Sequence, residues 1–159
     1  MPEPGDKAPL FELPDDAGKP LALAKLKGHL AVLYFYPKDD TSGCTAEAKD
    51  FSKLSGEFAK AGIAVVGISP DSAASHAKFK AKYDLTVSLA ADEDKTVAQA
   101  YGVWVEKSMY GRRYMGVERT TFLIDAKGKV VQVWRKVKVP GHAEAVLDAA
   151  LKLASGQKS

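Results

Sequence analysis

The chain has 159 residues, 46% of them hydrophobic and 27% charged, with a formal net charge of +3. That length suits a single domain over 1–159 with a sizeable core, and so small a charge gives no electrostatic case for nucleic acid or an anionic membrane surface as partner. One cysteine excludes an intramolecular disulfide framework. No apolar run approaches the length of a membrane span. Met1–Asp6 has neither a basic nor an apolar region of the signal-peptide kind, so cytoplasm is the expected compartment.

Residues 1–29 are rich in Pro, Gly and Asp, with apolar pieces at Leu10–Leu13 and Leu21–Leu23. Asp15-Asp16-Ala17-Gly18 between them reads as a turn, giving a small β-hairpin extension. Leu30–Tyr36 is an unbroken apolar run, the mark of a strand buried on both faces, and Pro37 ends it for want of an N–H. Thr41 and Ser42 are both candidate N-caps. From Cys44, the positions Ala48, Phe51, Leu54 and Phe58 recur at helical spacing, predicting a helix to about Lys60 that carries the cysteine on its inward face. Ile63–Ser69 is a second strand, and strand–helix–strand of this length requires a parallel, right-handed crossover.

Ser72 opens a helix with His76, Phe79 and Tyr83 on one face. Leu85–Leu89 reads as a short strand and Asp94–Tyr101 as a short helix closed by Gly102. Val103–Glu118 has no clear period and reads as a loop beside the site. Its interleaved aromatics and arginines (Tyr110, Arg112, Arg113, Tyr114) form only a weak nucleic-acid pattern, and a weak subunit contact is an alternative. Arg119–Asp125 and Val130–Arg135 flank Ala126–Lys129 as a hairpin. The last helix carries Ala143, Val146, Leu147, Ala150, Leu151 and Ala154 on one stripe, with 155–159 a polar tail expected to fray. This order predicts an α/β, thioredoxin-like fold: a central mixed sheet flanked by helices, with Cys44 at the carboxyl end of the first buried strand, where sites in open α/β sheets lie.

A thiol in the first turn of a helix faces unpaired backbone N–H groups and the positive end of the macrodipole. Both favour the thiolate, the reactive form, so Cys44 is the candidate nucleophile, and Gly43 lets the backbone pass close to whatever binds there. Elsewhere a lone cysteine is a small buried hydrophobe; the strand–loop–helix setting argues against that here.

Pro37, Thr41 and Cys44 stand in the pattern Pro-x-x-x-Thr-x-x-Cys, which resembles the active-site signature of the peroxiredoxins. Tyr36–Ala48 is similar to the bacterioferritin-comigratory, or PrxQ, branch. The likeness extends to Gly5–Pro9 with Phe11, to Gly67-Ile68-Ser69 with Asp71, and to Gly116–Asp125. It implies that Pro37, Thr41, Cys44 and Arg119 form a peroxide site. Cys44 would attack the peroxide and become sulfenic acid. Arg119 would keep the sulfur ionised and stabilise the leaving oxygen. Thr41 would donate to and accept from the peroxide, and Pro37 would wall off water. The N–H groups of Gly43 and Cys44 would bind a substrate oxygen. Glu47 would brace a basic group, or else be a solvated acid at a helix start.

Two positions depart from the branch. Ser42 stands where proline is common, and Lys49 stands where many members carry a second cysteine; nor does the Ser72–Tyr83 segment hold one. The resemblance therefore implies a one-cysteine cycle completed by an external thiol: thioredoxin, glutaredoxin with glutathione, or a small thiol. It leans toward a monomer and implies no bound cofactor or metal. A redox sensor that passes its oxidised state to a partner is the alternative, and a non-catalytic binding module a weaker one. His29, His76 and His142 show no ligand spacing: His76 reads as a core or rim residue, His142 as a residue at a helix start.

Overall fold

The computed structural model describes residues 1–157. A small antiparallel pair, β1 (Glu12–Pro14) and β2 (Pro20–Ala22), forms the expected N-terminal extension, followed by a 3-10 turn at Leu23–Leu26. The main sheet comprises β3 (Leu30–Phe35), β4 (Ile63–Ser69), β5 (Ser88–Ala91), β8 (Thr120–Ile124) and β9 (Val130–Trp134), in the spatial order β5-β4-β3-β8-β9. Strands β3, β4 and β5 run parallel, whereas β8 is antiparallel to β3 and β9 to β8. The fold is thioredoxin-like, with helices on both faces of a mixed sheet.

Alternation along β3 builds the two layers of the core. Leu30, Val32, Tyr34 and Tyr36 face α1 (Ser42–Lys53), α2 (Ser55–Lys60), α3 (Ala73–Tyr83) and α5 (His142–Gln157), meeting Phe51, Phe58, Phe79 and Val146. Ala31, Leu33 and Phe35 face α4 (Thr96–Ala100) and the N-terminal arm, meeting Val97, Tyr101, Leu13 and Leu23. Gly67 on β4 lies under the Tyr34 ring, where an added Cβ would stand 2.6 Å from Tyr34 Cζ. No larger residue fits there without moving an aromatic at the centre of the molecule.

Several elements differ from the sequence expectation. Val103–Glu118 is not a loop but mostly a two-stranded ribbon, β6 (Trp104–Met109) and β7 (Arg112–Val117). Its turn is Tyr110-Gly111, with φ of 52° and 78°. That is the positive-φ geometry of a tight hairpin, without the Asn-Gly or Asp-Gly that signals one. Nearly all the ribbon is exposed or half-buried, so no alternation marks it. The first long helix breaks at Leu54 (φ −95°, ψ 1°), where Ser55 Oγ donates to Ser52 O at 2.8 Å. Serine hydroxyls there offer the backbone an alternative to the helical ladder. The strand expected at Leu85–Leu89 lies at Ser88–Ala91, and α5 continues through Gln157, so the expected frayed tail is helical as far as that residue; Lys158 and Ser159 lie outside the described residues.

Candidate active site

The antiparallel register of β3 and β8 pairs Phe35 with Thr120. Arg119, one residue before Thr120, therefore arrives at the carboxyl end of β3, where the Tyr36–Thr41 segment leads into α1. Residues 75 apart in sequence meet there: Arg119 Nη2 donates to Cys44 Sγ at 3.3 Å, and Nη1 donates to Glu47 Oε1 at 2.6 Å. One planar guanidinium thus spans sulfur and carboxylate, a geometry a lysine ammonium does not reproduce. Gly43 permits the approach, since a Cβ at that position would stand 3.2 Å from Arg119 Nη2. Its close neighbour is the arginine, a packing partner that sequence alone did not disclose.

Cys44 is 2% exposed and Glu47 1%. Glu47 is thus a buried partner of a cation, not a solvated acid at a helix start. Its Oε2 has no hydrogen-bond partner among the described residues. Burial pushes the Glu47 carboxyl up from 4.5 to about 7; Arg119 pulls against this and Asp50 adds a small push upward. Burial also works against the charge of Arg119, but Glu47 and Cys44 together outweigh it and hold the guanidinium above its ordinary value.

A carboxyl with a higher value in the folded chain stabilises the fold at low pH and loses that contribution as pH rises from 4.5 to about 7. The swing is on the order of 3 kcal/mol. Glu47→Gln is therefore expected to flatten the decline in unfolding free energy between pH 5 and pH 7.5, measured by urea titration. Equal slopes in the two proteins would show that Glu47 titrates alike folded and unfolded.

Thr41 occupies the N-cap position of α1, but its side chain makes no capping bond. Its hydroxyl donates instead to Lys38 O at 2.8 Å, which leaves the oxygen's lone pairs free to accept. The first-turn N–H groups of Ser42, Gly43 and Cys44 lack the side-chain cap that would compete for an anion. Pro37 is half-buried at the end of β3, in the same segment.

Helix α3 splints this segment from both ends. Asp39 accepts from Tyr36 Oη at 2.6 Å and from Ser75 Oγ at 2.8 Å, and it pairs with His76 Nδ1 at 2.8 Å. Asp39 N donates to Asp71 Oδ2 at 2.8 Å. Asp40, in the left-handed region at φ 59°, accepts from Lys82 Nζ at 2.8 Å and from the Tyr83 hydroxyl. His76 is fully buried, with Nε2 3.0 Å from Ala90 O, so it is core and not rim. Asp39, Asp71 and His76 each offer a ligand atom within 4.8 Å of the others, a grouping the linear spacing concealed. Those atoms are already engaged with Ser69, Ser75, Ala90 and one another, so the cluster serves as a strut. His142 opens α5, with Nε2 2.8 Å from Thr121 Oγ1. Burial, and then the Arg119 charge, bring it down to about 4, which leaves the ring neutral at pH 7.

The sequence pattern of the AhpC/TSA family matches residues 4–133. A Coxiella burnetii relative is 52% identical over 91% of this chain and 96% of its own length. Peroxiredoxin Bcp of Bacillus subtilis is 47% identical over 91% of this chain and 92% of its own. Among solved structures, the Xanthomonas campestris bacterioferritin comigratory protein, described with alkyl peroxide reduction activity, superposes with a TM-score of 0.87 at 46% identity, over 91% of this chain and 92% of that one. Xylella fastidiosa PrxQ gives 0.92 at 37% identity, over 97% and 98%.

Proposed function

Because this chain belongs to the AhpC/TSA family, whose similar members are peroxiredoxins, we propose that its thiol-dependent peroxidase activity runs through Cys44, Arg119, Thr41 and Pro37. The Cys44 thiolate attacks the terminal oxygen of a peroxide and the O–O bond breaks. The proton of the attacked oxygen passes to the departing one, which leaves as alcohol or water, and the sulfur, left as sulfenate, takes a proton from solvent to become sulfenic acid. Arg119 stabilises charge on sulfur and departing oxygen alike. The first-turn N–H groups of Gly43 and Cys44 hold a substrate oxygen, Thr41 Oγ1 accepts a hydrogen bond from the peroxide O–H, and Pro37 keeps water from the sulfur. Glu47 fixes the guanidinium in its plane. The observation that carries this reading is the 3.3 Å contact between Arg119 Nη2 and Cys44 Sγ.

With one cysteine in the chain, the sulfenic acid is reduced by an external thiol: thioredoxin, or glutaredoxin with glutathione. The reading extends to hydrogen peroxide and organic hydroperoxides, the latter supported by the activity described for the Xanthomonas relative. It takes the protein as a cytoplasmic monomer. No helix among the described residues is long and apolar enough to cross a membrane.

One equivalent of peroxide in the presence of a sulfenic-acid trap should place one adduct per chain on Cys44 by intact mass and peptide mapping. Many turnovers with excess thiol would mark an enzyme rather than a sensor. An unmodified Cys44 after peroxide would sink the reading.

A further inference from the structure

Most of the large exposed apolar side chains among the described residues gather on one element. Met109, Tyr110, Tyr114 and Met115 are 57%, 98%, 43% and 49% exposed, and all lie on the β6–β7 ribbon. Cross-strand register sorts them. Lys107 pairs with Tyr114 and Met109 with Arg112. Two residues apart on their strands, these pairs share one face. The same face carries Gly116, over which the Lys107 stem passes, 3.2 Å from where a Cβ would stand, beside the Tyr114 ring edge. Glu106 and Met115, with Ser108 and Arg113, occupy the other face, where Arg113 is paired with Glu106 at 3.6 Å. Arg112 makes no ion pair among the described residues.

The ribbon is rooted at the thiol. Tyr114 stands five residues before Arg119, and β7 runs into Val117-Glu118-Arg119. Burial and then the Arg119 charge hold the Lys107 ammonium below its ordinary value, with Glu118 and Cys44 pulling the other way. A stripe of Lys107, Tyr114, Met109 and Arg112 thus leads outward from the mouth of the site, with Tyr110 at its tip. Tyr, Met and Arg are the residues enriched at protein interfaces.

We infer that this face of the β6–β7 ribbon is the docking surface for a protein dithiol reductant whose contact face is apolar with an acidic rim. The inference rests on the peroxidase reading above and identifies the partner of that site. Its need follows from the single cysteine and from the 2% exposure of Cys44. A disulfide requires the two Cα atoms within about 7 Å, so a protein thiol reaches this sulfur only when held against the rim. The exchange balances. One partner thiol attacks the sulfenic sulfur, forming a mixed disulfide and releasing water; the second partner thiol attacks its own sulfur in that bond, returning Cys44 as a thiol and leaving the partner as a disulfide. The partner supplies both electrons. Lys107 and Arg112 set the complementary charge.

The test replaces exposed ribbon residues outside the catalytic set: Met109→Ser with Tyr110→Ser and Tyr114→Ser in one variant, and Arg112→Glu in another. With a bacterial thioredoxin, its reductase and NADPH, kcat/KM for thioredoxin should fall about tenfold in the triple variant, through a raised KM. Arg112→Glu should weaken the salt dependence of that step. Turnover with dithiothreitol, and the single-turnover reaction of Cys44 with peroxide, should match the parent. Met109→Leu with Tyr114→Phe should keep thioredoxin turnover. Thioredoxin kinetics within about twofold of the parent in the triple variant, or an equal loss with dithiothreitol, would overturn the docking surface. So would a parent reduced by dithiothreitol and by neither thioredoxin nor a dithiol glutaredoxin. A parent that consumes no peroxide even with dithiothreitol would instead remove the peroxidase reading beneath it.

Discussion

Cys44→Ser is expected to bring peroxide consumption down to the rate of buffer alone and to abolish sulfenic-acid trapping, with the fold retained. The chain holds no other cysteine, so no second sulfur substitutes for the lost one. A serine hydroxyl stays protonated at neutral pH and lacks the polarisable sulfur that takes an oxygen from a peroxide. The substitution is nearly isosteric at a buried position, and serine Oγ still accepts from Arg119 Nη2 in place of Sγ. Thermal unfolding should therefore stay close to the parent's. Peroxide consumption near the parent rate in this variant would exclude Cys44 as the reacting group.

Arg119→Met is the second large effect, and it separates two roles of one side chain. The second-order rate of peroxide with Cys44 should fall by about 10²–10³-fold, the usual consequence of removing a charged donor aimed at developing negative charge. Arg119→Lys should recover only part of it. A single ammonium does not span the sulfur and Glu47 Oε1 as the two guanidinium nitrogens do. Stability should change as well, in a pH-dependent way. Without its cation, buried Glu47 rises further above its present value of about 7, so the variant loses more stability at pH 8 than at pH 5.5. Stopped-flow peroxide kinetics and urea unfolding at the two pH values test the two roles independently. A full rate without Arg119 would remove electrostatic stabilisation from the mechanism.

The readable parts of this chain are those where burial imposes a period. Leu30–Phe35 is buried at every position, and its unbroken apolar run said so. Phe51 and Phe58 mark the inner helix face as the spacing required. What escaped the sequence has its own physical signature. The β6–β7 ribbon hides because little of it is buried, so no alternation betrays it, and its Tyr110-Gly111 turn uses a tyrosine where turn chemistry favours Asn or Asp. The break at Leu54 escapes because leucine suits a helix and the cause lies in neighbouring serine hydroxyls. The cluster of Asp39, Asp71 and His76 was invisible because its members are joined by packing of α3 against the loop, not by spacing.

Local sequence determined the candidate nucleophile and its setting: an apolar strand stopped by Pro37, a short turn, and a cysteine in the first turn of an amphipathic helix. These follow from interactions within a few residues along the chain. Only the tertiary structure decided what stands opposite that sulfur. The β3–β8 register sets Arg119 against Cys44 and Glu47, burial sends the Glu47 carboxyl upward, and Gly43 matters because a guanidinium from a distant strand passes 3.2 Å from where its Cβ would be. Contacts between residues 75 apart depend on strand order and register. Those are settled by the packing of the whole core, which no local stretch encodes.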